Sequence, residues 1–118
     1  MRILVAPASL LVAAFSATAA HAHAFLDHAS PLVGGSVATA PREVTLWFTQ
    51  SLEPAFSRAE VTDANGARVD QGKAQVSGST MRVGLKPLAA GTYRVHWHVL
   101  SVDTHTTQGS FTFHVGGR

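Results

Sequence analysis

The sequence predicts an all-β domain, an antiparallel β-sandwich of about seven strands, on three observations. Short runs alternate apolar with polar residues, turn residues punctuate them, and no stretch beyond residue 22 carries a helical period. Successive strand side chains point to opposite faces, so each alternating run marks one buried and one solvated side.

The first 22 of the 118 residues read differently, as a secretory leader. Met1-Arg2 is a short basic start, Ile3 to Phe15 is apolar apart from Pro7 and Ser9, and small residues lead into Ala20-His21-Ala22. The apolar run is too short for the roughly 20 residues that span a bilayer. No Cys stands at the cut to carry a lipid. The expected product is a soluble, exported domain of residues 23–118, periplasmic, without a membrane span.

Within that domain four runs are clear strands. Val44, Leu46 and Phe48 alternate with Glu43, Thr45, Trp47 and Thr49; Met81, Val83 and Leu85 alternate with Arg82, Gly84 and Lys86. Tyr93, Val95, Trp97 and Val99 alternate with Arg94, His96, His98 and Leu100, and Phe111, Phe113 and Val115 with Thr112 and His114. Pro31…Gly34-Gly35, Ala40-Pro41, Asn65-Gly66, Gly78-Ser79, Pro87…Gly91 and Gly109 fall between the runs. Asn65-Gly66 reads as a hairpin turn, since both residues tolerate positive φ. Leu52 to Ser57, with Pro54 inside, reads as a loop.

Charge excludes more than it suggests. Nine Lys and Arg face seven Asp and Glu, with no basic run, so nucleic acid is not an expected partner. Cysteine is absent, so a metal site has to be built from His, carboxylate, Met or the terminal amine. No G-x-S-x-G elbow, H-E-x-x-H pair or phosphate-cradling glycine loop is present, and no catalytic residues are expected.

Histidine carries the chemistry. Cleavage after Ala22 makes His23 the first residue, offering its α-amine and imidazole Nδ1 to one ion. Asp103 and His105, two apart on an extended segment, project to the same side and would complete a square-planar N,O set suited to Cu(II), one per chain. Cleavage after Ala20 would instead leave His21-Ala22-His23, a local site using the amine, two amides and the His23 imidazole. D-x-H alone is a weak motif, although here it follows a long strand and precedes Gly109, as a loop held by rigid strands would. His96, His98 and His114 share outward parity and would form a surface metal patch if their strands paired closely; otherwise they are solvent-facing. His28 reads as a loop or strand-edge residue, and Trp47 and Trp97 as packing.

His23-Ala24-Phe25-Leu26, Leu46-Trp47-Phe48-Thr49, Gly91-Thr92-Tyr93-Arg94-Val95…Trp97 and Ser101-Val102-Asp103-Thr104-His105…Gly109 together resemble the CopC-type periplasmic copper-resistance proteins. The resemblance runs from His23 to Val115. It implies an immunoglobulin-like Greek-key sandwich, a mature chain starting at His23, and a Cu(II) ion held by the His23 amine and imidazole, Asp103 and His105. It also implies delivery to an inner-membrane transporter of the CopD type. Some members hold Cu(I) in a Met-rich loop, whereas here only Met81 survives the leader, at an inward position; the missing thioethers favour a Cu(II)-only version. Gln50 stands where the family commonly has an acidic residue supporting the amine, a role open to Gln50 without charge or to Glu53. A copper carrier or buffer is the leading reading. The competitors are a histidine-brace copper oxidase acting on polysaccharides and a partner-docking module whose histidines are incidental.

Overall fold

The computed structural model describes residues 24–116, so the leader, both cleavage sites and His23 lie outside the described residues. Eight strands follow in order: β1 (Leu26–Ser30), β2 (Ser36–Val37), β3 (Glu43–Phe48), β4 (Arg58–Thr62), β5 (Asp70–Ser77), β6 (Thr80–Leu85), β7 (Gly91–Leu100) and β8 (Thr106–Val115). They form two four-stranded sheets, ordered β1-β3-β6-β5 and β2-β8-β7-β4. The result is an immunoglobulin-like β-sandwich.

The four strands read from alternation all form, as β3, β6, β7 and β8, with the apolar set inward. Val44, Leu46 and Phe48 of β3 and Met81, Val83 and Leu85 of β6 face Tyr93, Val95, Trp97 and Val99 of β7 and Phe111, Phe113 and Val115 of β8, all buried. Burying each such side chain contributes about 1.5–3 kcal/mol against solvent, which is what fastens the two sheets. Two aromatic pairs order this core. Phe48 meets Trp97 edge-on across the sandwich at 5.2 Å and 78°, and Tyr93 stacks on Phe113 at 5.6 Å. The Tyr93 hydroxyl donates to the Ala89 carbonyl at 2.6 Å, a tyrosine corner that ties the start of β7 to the preceding loop.

The strand count exceeds the expected seven because of β2. Its two residues pair in parallel with β8, Ser36 beside His114 and Val37 beside Val115. A two-residue strand flanked by Gly34-Gly35 and Ala38 is too short to show alternation. Asn65-Gly66 turns the chain into a short hairpin, as expected, with Asp63 N donating to Ala67 O at 2.9 Å and Val69 N to Val61 O at 2.8 Å. The Asp63 carboxylate accepts the Asn65 and Ala67 amides at 2.9 and 3.0 Å, and Gly66 alone takes positive φ (86°). One bridge, Thr62 to Arg68, follows before the chain leaves β4 in one sheet for β5 in the other. A second, two-residue hairpin is Gly78-Ser79, joining β5 to β6 between the partners Ser77 and Thr80, with Gly78 at φ 64°. Leu52 to Ser57 lies outside the strands as expected, with one 3-10 turn over Pro54–Phe56.

This topology collects the ends of β3 and β7 and the starts of β4 and β8 at one end of the sandwich. Main-chain hydrogen bonds splice the segments there: Val102 N to Ser51 O at 3.0 Å, Leu52 N to Gly78 O at 2.9 Å, and Glu53 N to Leu100 O at 2.8 Å. That end carries the candidate site.

Candidate metal centre

The link from β7 to β8 is a tight loop from Ser101 to His105. It is closed by Ser101 N donating to His105 O at 2.9 Å and Thr104 N donating to Ser101 O at 2.8 Å. Closing the chain in so few residues sends Thr104 into the left-handed region, φ 71°. Asp103 and His105 flank it, and this turn, not the extended segment expected, brings them together, with His105 Nδ1 3.4 Å from Asp103 Oδ1. Both side chains are open to solvent, at 40% and 47%. The Ser101 hydroxyl, which donates to Asp103 Oδ1, and secondarily the His105 imidazole hold the Asp103 carboxyl below the ordinary carboxylate range. A carboxylate that stays ionised beside an accessible imidazole is a pair of donors ready for a cation.

The start of the described chain is fastened to the same place. Ala24 is fully buried, and its carbonyl accepts the Thr107 hydroxyl at 2.6 Å, two residues beyond His105. Phe25 is locked from the other side: its N–H donates to Thr49 Oγ1 and its carbonyl accepts the Thr49 N–H, both at 2.9 Å. Residues 24 and 25 thus bridge the end of β3 to the start of β8. Gln50, next to Thr49, is half-buried at this end, and Glu53 enters through its main chain, paired with Leu100. Among the described residues no three His, Asp or Glu side chains cluster closely enough to hold a metal ion. Asp103 and His105 are two members of the expected set of three, and His23 lies outside the described residues.

The other histidines do not join them. β7 and β8 pair along their length, but His114 falls opposite Thr92, whose hydroxyl it meets through Nδ1 at 2.7 Å. That is four residues from His96 along β7, roughly 13 Å, so the three outward histidines do not form one patch. His96 stands opposite Glu60 and His98 opposite Arg58, whose Nη1 lies 3.5 Å from His98 Nδ1. A guanidinium beside that imidazole opposes a cation there. His28 sits on edge strand β1, hydrogen-bonded to Asp27 at 2.7 Å and stacked on Trp47 at 4.4 Å and 9°. Trp97 is a core residue as expected, while Trp47 packs on the outer face of its sheet.

Sequence reasoning passed over two residues that build the site, Ser101 and Thr107. Ser101 had a visible signal. It continues the inward parity of Tyr93, Val95, Trp97 and Val99, and a hydroxyl at a core position requires a partner.

Comparison with known proteins agrees with this architecture. The family model of the CopC domain matches residues 26–116. The chain belongs to the CopC family. Among its relatives, Protein YobA of Escherichia coli K12 is 38% identical over 98 residues, covering 80% of this chain and 79% of that protein. Copper resistance protein C of Xanthomonas campestris pv. juglandis is 34% identical over 115 residues, 90% of each chain. Among solved structures, CopC from Methylosinus trichosporium OB3b superposes with a TM-score of 0.75 at 34% identity, covering 80% of this chain and 94% of that one. The β-sandwich is therefore the fold of this CopC-family member on both sequence and structural grounds.

Proposed function

We propose that this CopC-family protein binds one Cu(II) ion per chain in the periplasm and acts as a copper carrier or buffer, in copper resistance and homeostasis. The ion is held by the α-amine and imidazole of a mature N-terminal His23 together with Asp103 and His105. The observation that supports this reading is the Thr107 hydroxyl bond to the Ala24 carbonyl, which brings the residue after His23 to within two positions of His105 along β8. Family membership supports copper as the cargo, since the relatives' names specify copper resistance.

The donor chemistry selects the ion. Nitrogen and carboxylate donors without thiolate suit Cu(II), which heads the divalent affinity order, and Met81 is buried in the core and out of reach as a thioether for Cu(I). An exposed, preformed donor pair allows the ion to be taken up and released without opening the fold, as a carrier requires. Its destination is an inner-membrane transporter of the CopD type, facing the end of the sandwich that carries Asp103 and His105.

The test is a competitive Cu(II) titration of the processed, exported protein and of an Asp103→Ala/His105→Ala variant. The variant should lose more than the roughly 10–100-fold that outer-shell changes cost a metal site. Equal affinities would sink the shared site. Because the amine and imidazoles must be neutral to ligate, protons compete with the ion and wild-type affinity should decline as pH falls.

A further inference from the structure

The geometry points to Ser101 as the positioning residue of this centre: its buried hydroxyl holds Asp103 Oδ1 and the His105 main chain, so that both ligands are preset for the ion. The inference rests on the copper reading above.

Three features carry it. Ser101 is fully buried, in a core otherwise made almost wholly of apolar side chains, so its hydroxyl is costly unless it is bonded. Its oxygen lies within hydrogen-bonding range of Asp103 Oδ1, of His105 O at 3.3 Å and of His105 N at 3.4 Å. A serine has one proton to give and can accept in return. The carboxylate takes the proton, since a charged acceptor makes the stronger bond and the His105 carbonyl is already served by Ser101 N at 2.9 Å. The His105 N–H then donates to the same Oγ. One buried atom therefore sets the rotamer of Asp103 and the backbone of His105 together.

The side-chain contacts of Asp103 with Ser101 and with His105 Nδ1 both engage Oδ1. Ser101 itself, enclosed in the core, never touches copper.

The full chain is expressed with its leader, recovered after export, and titrated with Cu(II) against a competing chelator as wild type, Ser101→Ala, Asp103→Ala and the double variant. Ser101→Ala should weaken copper binding about 10-fold, within the range for outer-shell partners, and alter the Cu(II) hyperfine coupling in the EPR spectrum. In the Asp103→Ala background the same substitution should cost clearly less, because only the part of its effect that passes through the His105 main chain remains. An equal loss in both backgrounds makes Ser101 merely structural and overturns the proposal. So does wild-type affinity for Ser101→Ala where Asp103→Ala is weakened. Wild-type affinity for Asp103→Ala overturns the copper reading as well. Should Ser101→Ala not fold, Ser101→Thr keeps the hydroxyl and should bind as wild type; a 10-fold loss in that folded variant overturns the proposal equally.

Discussion

Thr104 shows how closely the site depends on single backbone angles. A β-branched residue at φ 71° carries a cost of about 1–2 kcal/mol that glycine or asparagine largely avoids. Thr104→Asn should therefore raise the stability of the metal-free protein by about 0.5–1 kcal/mol, read as a higher urea midpoint at unchanged slope. At this scale the candidate centre was only partly legible. Asp103 and His105 were read as a pair sharing one side of an extended segment, whereas the structure brings them together through the turn at Thr104. Ser101 was hidden because a serine after an alternating strand reads as a turn residue until its inward parity is counted. The bond from Thr107 to Ala24 joins residues 83 apart, and no local pattern announces a contact of that kind.

At the level of elements, β7 and β8 form the longest ladder, ten paired positions from Gly91–Val115 to Leu100–Thr106. Gly109 sits on that ladder opposite Trp97, and it is glycine for want of room. A Cβ there would lie 2.6 Å from Trp97 Cζ2 and 3.0 Å from Cε2. Gly109→Ala should displace the indole from its edge contact with Phe48 and cost about 1–3 kcal/mol. The expected readouts are a Tm lower by roughly 5–20 °C and a changed near-ultraviolet dichroism. A substitution without effect on either would mean that Trp97 yields freely. Strands β3, β6, β7 and β8 were legible because one face of each is buried and burial imposes the period of two, whereas β1, β4 and β5 were not read as strands. Nor was β2, because its pairing depends on β8 and not on its own two residues. The Asn65-Gly66 turn was legible as a reversal, but the passage of the chain from β4 to the opposite sheet beyond it was not.

For the molecule as a whole, the two sheets are joined by their cores and by a clasp at one edge. Asp70 of β5 accepts the Val61 N–H of β4 at 2.9 Å and grips Arg68 through two hydrogen bonds of 2.8 Å. The Arg68 guanidinium, foremost, and the Val61 amide keep the Asp70 carboxyl below its ordinary range. A carboxylate so depressed stabilises the fold above the unfolded value near 3.9, and that contribution is lost as pH falls through the lower folded value. Asp70→Asn should cost about 1–3 kcal/mol at pH 7 by chemical denaturation, and the gap to wild type should narrow below about pH 4. A gap constant with pH would show that charge plays no part in the clasp. The sandwich class was legible at this scale from punctuation and alternation together, whereas the assignment of strands to sheets was not, because it is settled by long-range packing.

The turn that follows β4 lies at the end of the sandwich opposite the Asp103 loop. The Asp63–Gly66 turn lies beyond the full length of β4, some 17 Å from the Ser57 end, and its tip is exposed. A fluorophore, surface tether or grafted peptide at Asn65–Gly66 would leave the donor loop unobstructed, which makes that turn the natural handle for an immobilised sensor built on this scaffold.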